Sequence, residues 1–207
     1  MGVNHQPRQR CLQCIRPMSH CLCHLLPSLS SRTRILVIQH PDEAKHALNT
    51  ARFVVLGLRN ARLVIAEHVD NLEYYLEQSD YQPCILFPGV QALELTAYTS
   101  EQKPLLLVVP DGTWRKARKI LYANPILETL PRVTFPRGYS SRYRLRKAPY
   151  EESLATVEAV THALEVLEPQ TDFSPLLRPF DALIEGQIQA MGIETYQRNH
   201  VDVKNNN

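Results

Sequence analysis

The run LLLVVPDGTWRKARKIL, Leu105 to Leu121, reads as a strand, a turn and a helix in immediate succession. Five apolar residues in a row, Leu105 to Val109, suit a strand covered on both faces, which has no solvent side to alternate toward. The strand is expected to end at Val109, and a glycine-containing turn then leads into a helix that Thr113 can cap. That helix is expected from Thr113 to about Ala123, stopped by Asn124-Pro125. A buried strand feeding directly into a helix is half of a βαβ unit.

The flanking sequence repeats the theme. TRILVI (Thr33–Ile38), RLVIA (Arg62–Ala66), CILF (Cys84–Phe87) and RVTF (Arg132–Phe135) read as further strands. Between them, Ala47, Leu48, Ala51, Val54, Val55 and Leu58 recur at three- and four-residue spacings, a helical period. Glu152 to Glu168 reads as a long helix with Leu154, Val157, Val160, Leu164 and Leu167 on one face, and a last helix is expected from about Pro175 to Met191. Short apolar strands alternating with helices imply an α/β fold, a mostly parallel sheet with helices on both faces. The organisation expected is a Cys-rich knuckle and linker over 1–32, one α/β domain over 33–198 and a flexible tail over 199–207.

Composition limits the function classes. The 207 residues are 44% hydrophobic and 21% charged, which excludes a wholly disordered or fibrous chain. The longest apolar run, Pro104 to Pro110, is far short of the roughly 18 residues that span a bilayer. The N-terminus lacks the apolar core of a secretory signal, so a cytoplasmic setting is expected, with no membrane. Five cysteines without such a signal argue against a disulfide scaffold, and Cys84 within CILF reads as a buried strand residue. No obligate protein partner is expected, and a monomer is favoured.

In parallel sheets, ligands bind beyond the carboxyl ends of the strands. That rule selects Gln39–Glu43, Phe87–Gly89 and Pro110–Trp114. Four further patterns carry chemistry. Cys11, Cys14, Cys21 and Cys23 form C-x2-C-x6-C-x-C, which suits a closed tetrahedral zinc; His20 and His24 could substitute, and reduced unmetallated thiols are the alternative. Asp111 at a strand end can serve as acid, base or clamp, or simply make an Asp-Gly turn. Thr113–Lys119 and Arg132–Lys147 hold ten of the 23 basic residues and none of the 21 acidic ones, with Tyr139 and Tyr143 interleaved. The formal charge of +2 therefore hides a basic face that suits RNA, although a solvated charged face reads the same way. Glu158 falls off its helix's apolar stripe and alone reads as a solvated glutamate.

In order and spacing, these pieces resemble the DTW-domain family, the tRNA-uridine aminocarboxypropyltransferases. The resemblance runs over about residues 11 to 168, through the cysteines, TRILVIQHPDEAKHALNTA, LFPG, PDGTWRKARKIL, SRYRLRKAP and SLATVEAV. The Asp-x-Thr-Trp signature stands as Asp111, Thr113 and Trp114. The resemblance implies a SPOUT-like fold with a C-terminal knot, and S-adenosyl-L-methionine as donor of its 3-amino-3-carboxypropyl chain. The implied acceptor is N3 of a tRNA uridine, at position 47 in short bacterial members.

On that reading Asp111 is the base. The donor's adenosine meets Leu86, Phe87, Pro88 and Gly89 and the backbone from Pro110 to Gly112, with Thr113 and Trp114 beside it. Arg142 or Arg146 clamps its carboxylate, and Glu158 holds its amino group or ribose. Gln39, His40 and Glu43 complete the pocket, with Thr50 a weaker member. Arg115, Lys116, Arg118, Lys119, Arg137, Tyr143, Arg144 and Lys147 are expected to bind tRNA, and structural Zn(2+) sits on the four cysteines. Two other readings share these features: a SPOUT-type methyltransferase using the same donor, and a non-enzymatic zinc-containing RNA-binding protein.

Overall fold

A computed structural model describes residues 9–46, 48–77, 79–98, 103–135 and 154–198. Arg137, Tyr139, Arg142, Tyr143, Arg144, Arg146 and Lys147, and the tail at 199–207, lie outside the described residues.

Six strands form one parallel sheet: β1 (Arg34–Gln39), β2 (Ala61–Ile65), β3 (Gln82–Leu86), β4 (Leu93–Glu94), β5 (Leu105–Asp111) and β6 (Arg132–Thr134). Their order across the sheet is β2-β1-β5-β3-β6-β4. The sequence pattern lacks β4, whose two residues are both exposed and carry no buried face to read.

β5 runs two residues beyond the expected end at Val109, pairing Pro110 with Ile38 and Asp111 with Gln39. A proline in a central strand removes a ladder donor. Here the carbonyl of Asp111 faces β1 and accepts from the His40 amide at 3.0 Å, so the alternate position, Pro110, faces β3. The β3 pairing has already ended at Val108, so no ladder bond is lost.

The helices are α1 (Ala51–Gly57), α2 (Leu72–Leu76), α3 (Trp114–Ala123), α4 (Thr156–Leu167), α5 (Arg178–Met191) and α6 (Ile193–Tyr196). Strand alternation sorts them into two layers. Ile35, Val37, Leu105, Leu107 and Val109 point to one face and pack with Phe53, Val54, Val157, Val160 and Phe180 of α1, α4 and α5. Leu36, Ile38, Leu106 and Val108 point to the other and pack with Leu72, Leu76, Ala117, Ile120 and Leu121 of α2 and α3. Each such leucine or isoleucine stabilises the fold by about 1.5–3 kcal/mol on burial.

α1 is shorter than its apolar period, because a 3-10 turn at Pro41–Glu43 follows β1 and the Asn49 side chain accepts the Ala51 amide at 3.0 Å to start the helix. The linker is bound to the sheet domain. Leu22, Leu26 and Leu29 pack against the α1–α4–α5 core, and the Arg16 guanidinium lies 5.2 Å from the Phe53 ring centre.

The chain leaves β1 toward β2 on one side and leaves β5 toward β6 on the other. The carboxyl ends of β1 and β5 thus flank the point where the connections diverge, the place where open parallel sheets bind ligands.

Candidate active site and metal centre

Gln39 and Asp111 end these two strands side by side. The Gln39 Nε2 donates to Asp111 Oδ2 at 2.6 Å, and Gln39 is fully buried. Asn49 locks that amide from behind, accepting from Gln39 Nε2 at 3.1 Å and donating to Gln39 Oε1 at 3.2 Å. The second carboxylate oxygen, Oδ1, accepts the Thr156 hydroxyl from the first turn of α4. Asp111 is therefore oriented from the sheet and from a helix far away in sequence. A carboxylate has about four lone-pair sites, so it can accept from several donors at once.

His40 follows Gln39 and is 6% exposed. The Asp42 amide donates to its Nδ1 at 3.3 Å, which leaves the proton on Nε2 to donate to Glu67 at 2.9 Å. Lys116 reaches back from α3 to Glu43 at 2.8 Å and Asp42 at 3.6 Å. The Glu43 hydrogen bond holds the Lys116 pKa above its usual value. Thr113 Oγ1 accepts from the Lys116 amide at 3.4 Å and caps α3. Gly112 is required by close approach: a Cβ there would lie 2.9 Å from Lys116 Cβ.

On the β3 side, Phe87 and Trp114 meet edge to face with ring centres 5.6 Å apart. The Arg132 guanidinium lies 5.6 Å from the Phe87 centre and donates to the Pro88 carbonyl at 3.4 Å. Pro88 and Gly89 are exposed and Leu86 is half-buried. Glu158 is fully buried at the start of α4, where its Oε2 accepts the Ala155 amide at 2.8 Å.

The four N-terminal cysteines converge, with all four Sγ atoms within 4.8 Å of one another. Zinc–thiolate bonds of about 2.3 Å in a tetrahedron place sulfurs about 3.8 Å apart. Cys11 and Cys23 lie at 3.7 Å and Cys14 and Cys21 at 3.9 Å, so the set can hold a tetrahedral metal ion. The amides of Cys14 and Gln13 hold the Cys11 thiol down, to about 6. Burial, then the neighbouring thiols, pushes Cys23 far up. Ile15, just after the second cysteine, turns the knuckle with φ of 61°, a costly region for a β-branched residue.

The sequence profile of the DTW domain matches residues 8–188, which include both the cysteine cluster and the Asp111 site. The chain belongs to the DTW-domain family. It is 30% identical, over 220 aligned positions, to tRNA-uridine aminocarboxypropyltransferase 2 of Drosophila melanogaster, covering 100% of this chain and 86% of that protein. It is 31% identical to tRNA-uridine aminocarboxypropyltransferase 2 of Mus musculus (91% and 67% covered). It is 29% identical to tRNA-uridine aminocarboxypropyltransferase A of Arabidopsis thaliana (80% and 75% covered). No solved structure matches.

The DTW signature itself is divided between three tasks. Asp111 faces β1 and α4, Thr113 caps α3, and Trp114 leaves the helix cap with 43% of its surface exposed. The structure also adds residues that sequence reasoning passed over. Asn49 falls inside the apolar period read from Ala47 to Leu58, two residues before α1 starts, where a capping signal is legible. Thr156 reaches Asp111 across 45 residues, a contact no local pattern encodes. Glu67 enters the site through its bond to His40. Arg52, in the first turn of α1, has a buried Nε with no hydrogen-bond partner among the described residues.

Proposed function

We propose that this DTW protein transfers the 3-amino-3-carboxypropyl group of S-adenosylmethionine to N3 of a tRNA uridine and releases methylthioadenosine. The names of its relatives support the reaction class. The observation that carries the chemistry is the Asp111 carboxylate, held by Gln39 and Thr156 where the β1 and β5 connections diverge.

Asp111 accepts the proton from uridine N3. The freed nitrogen pair attacks the Cγ of the donor chain in line with its sulfur. The Cγ–S bond breaks, its electrons stay on sulfur, and the sulfonium becomes a neutral thioether. Asp111 then returns the proton to solvent. All three carbons on the sulfonium are activated, so orientation decides which one reacts. Phe87 to Gly89 and the backbone from Pro110 to Gly112 would hold the adenosine. Arg52, with its unpartnered Nε, joins Arg142 and Arg146 as a candidate for the donor carboxylate.

The acceptor is uridine 47 in the variable loop, and the setting is the cytoplasm. The cysteines of the 1–32 knuckle hold one structural zinc, whose closed tetrahedral set adds folding energy and leaves no open position. The 33–198 domain is SPOUT-like with a C-terminal knot, a reading that rests on the family resemblance and on the parallel α/β sheet. Exposed Arg115 and Arg118 contribute phosphate contacts.

Incubation of the purified protein with isotope-labelled donor and tRNA, followed by mass spectrometry of the nucleosides, tests the reaction. Uridine carrying the whole aminocarboxypropyl group is expected. A gain of a methyl group alone would overturn the reading.

A further inference from the structure

α3 has one face for the core and another that the core does not explain. Ala117, Ile120 and Leu121 are buried against the sheet. Along the flank of that buried face Trp114, Arg118 and Tyr122 stand at i, i+4 and i+8, successive turns of one helix surface. Tyr122 is 88% exposed and Trp114 is 43% exposed. Arg115 and Lys119 flank the stripe, both exposed. The helix carries no acidic residue, and neither Arg115 nor Arg118 makes an ion pair among the described residues. Lys119 has only a loose approach to Glu67, at 3.9 Å.

The exposed Tyr122 ring, the exposed part of Trp114 and an arginine with no ion pair among the described residues are not explained by the core. They do match what a single-stranded nucleic acid needs: π-faces for unstacked bases and guanidinium groups for phosphates. Trp114 is also held in place. Phe87 packs against it edge to face, with ring planes at 67°, and Arg132 backs Phe87. The stripe begins three residues from Asp111, so it leads directly away from the candidate active site.

We propose that the Trp114–Arg118–Tyr122 stripe binds single-stranded RNA, with bases stacked on the two rings and Arg118 between them on phosphate. This rests on the proposed function and names the surface that presents the acceptor; Trp114 then serves the acceptor and not the donor. The backbone positions of the two rings are about 12 Å apart along the helix axis. Stacked bases rise only about 3.4 Å. The rings therefore take bases that are not neighbours in a stack, which selects a splayed loop over a duplex.

Trp114 is the chain's one tryptophan, so its emission reports directly on the stripe. The full chain is titrated, without donor, with a uridine-rich single-stranded octamer, the same RNA as a duplex, and a poly-glutamate peptide. Quenching by the single strand is expected, with tighter binding than the duplex. Tyr122→Ala is expected to weaken single-strand binding roughly 5- to 100-fold, the range of one base–aromatic stack. Tyr122→Phe should bind within twofold of wild type, and Arg118→Gln should flatten the salt dependence by about one phosphate contact. The Tyr122 side chain is exposed, so an unchanged melting temperature verifies that Tyr122→Ala is folded. Equal quenching by duplex, stronger quenching by the acidic peptide, or undiminished binding by Tyr122→Ala would each overturn the proposal. The reaction assay is separate: transfer to tRNA without any quenching sinks this surface alone, and quenching without transfer sinks the activity alone.

Discussion

The amide of Gln39 donates 2.6 Å to the carboxylate of Asp111, and the two residues are Cα partners at the ends of adjacent parallel strands. Register places this pair: a slip of one residue between β1 and β5 would turn Gln39 to the opposite face of the sheet. The Thr156 hydroxyl completes the arrangement on the other oxygen. The carboxylate is thus aimed before any substrate arrives.

Removing the base and removing its support should give different losses. A positioned general base contributes about 10²- to 10⁴-fold, and Asp111→Asn is expected to lose that much in kcat. Thr156→Val keeps the volume and deletes the donor, so a kcat loss of about tenfold with little change in donor KM is expected, and Thr156→Ser should restore most of it. Steady-state kinetics on the three variants decides. Near-normal turnover by Asp111→Asn removes it as the base, and a serine variant as slow as the valine one removes the hydrogen bond as the cause.

Gly112→Ala forces a methyl group against Lys116 Cβ at 2.9 Å, where the start of α3 must shift. Overpacking of this kind costs about 1–3 kcal/mol. The shift would fall between Asp111 and the capped helix, so donor affinity is expected to drop along with stability. Calorimetric donor binding and thermal melts on the alanine variant check both; a variant with wild-type affinity and melting temperature refutes the account of this turn.

Lys116 joins α3 to the loop after β1 through Glu43. Its pKa is raised in the folded chain, first by that hydrogen bond. A raised lysine pKa means stability that is complete below the unfolded value, about 10.4, and lost as pH rises through the folded value. The melting-temperature gap between wild type and Lys116→Met should therefore hold steady from pH 7 to 10 and close only above that. A gap already gone at pH 9 contradicts the assignment.

Thiol labelling separates the cysteines. Cys84 is fully buried, and burial pushes its thiol up to about 12, so it should resist iodoacetamide until the domain unfolds. Elemental analysis is expected to find one zinc per chain. A strong chelator should then open the other four thiols to label while Cys84 stays protected. Rapid labelling of the four cysteines before chelation would argue against a bound metal.

The apolar runs at Ile35–Ile38, Cys84–Ile85 and Leu105–Val109 lie at the centre of the sheet, because a strand covered on both faces must be apolar at every position. β4 escaped the pattern, being two exposed residues held by pairing with β6. The end of β5 escaped it as well, since a proline reads as a stop until the neighbouring strand is known to have ended. In the site, Asp111, Gln39 and His40 were legible as strand-end positions. Glu67 and Thr156 were not, because their partners are distant in sequence; Asn49 showed at most a local capping signal, not its bond to Gln39.

By itself the amino-acid sequence determined the α/β class, the convergence-prone cysteine spacing and the DTW signature, because these depend on local period, spacing and residue chemistry. Only the tertiary structure decided that β5 lies between β1 and β3, and that Lys116 turns inward to Glu43 while Arg118 stays outside. It alone brings α4 back to set Thr156 on Asp111. Strand order and helix return are set by packing two apolar layers on one sheet, a property of the whole chain that no short stretch contains.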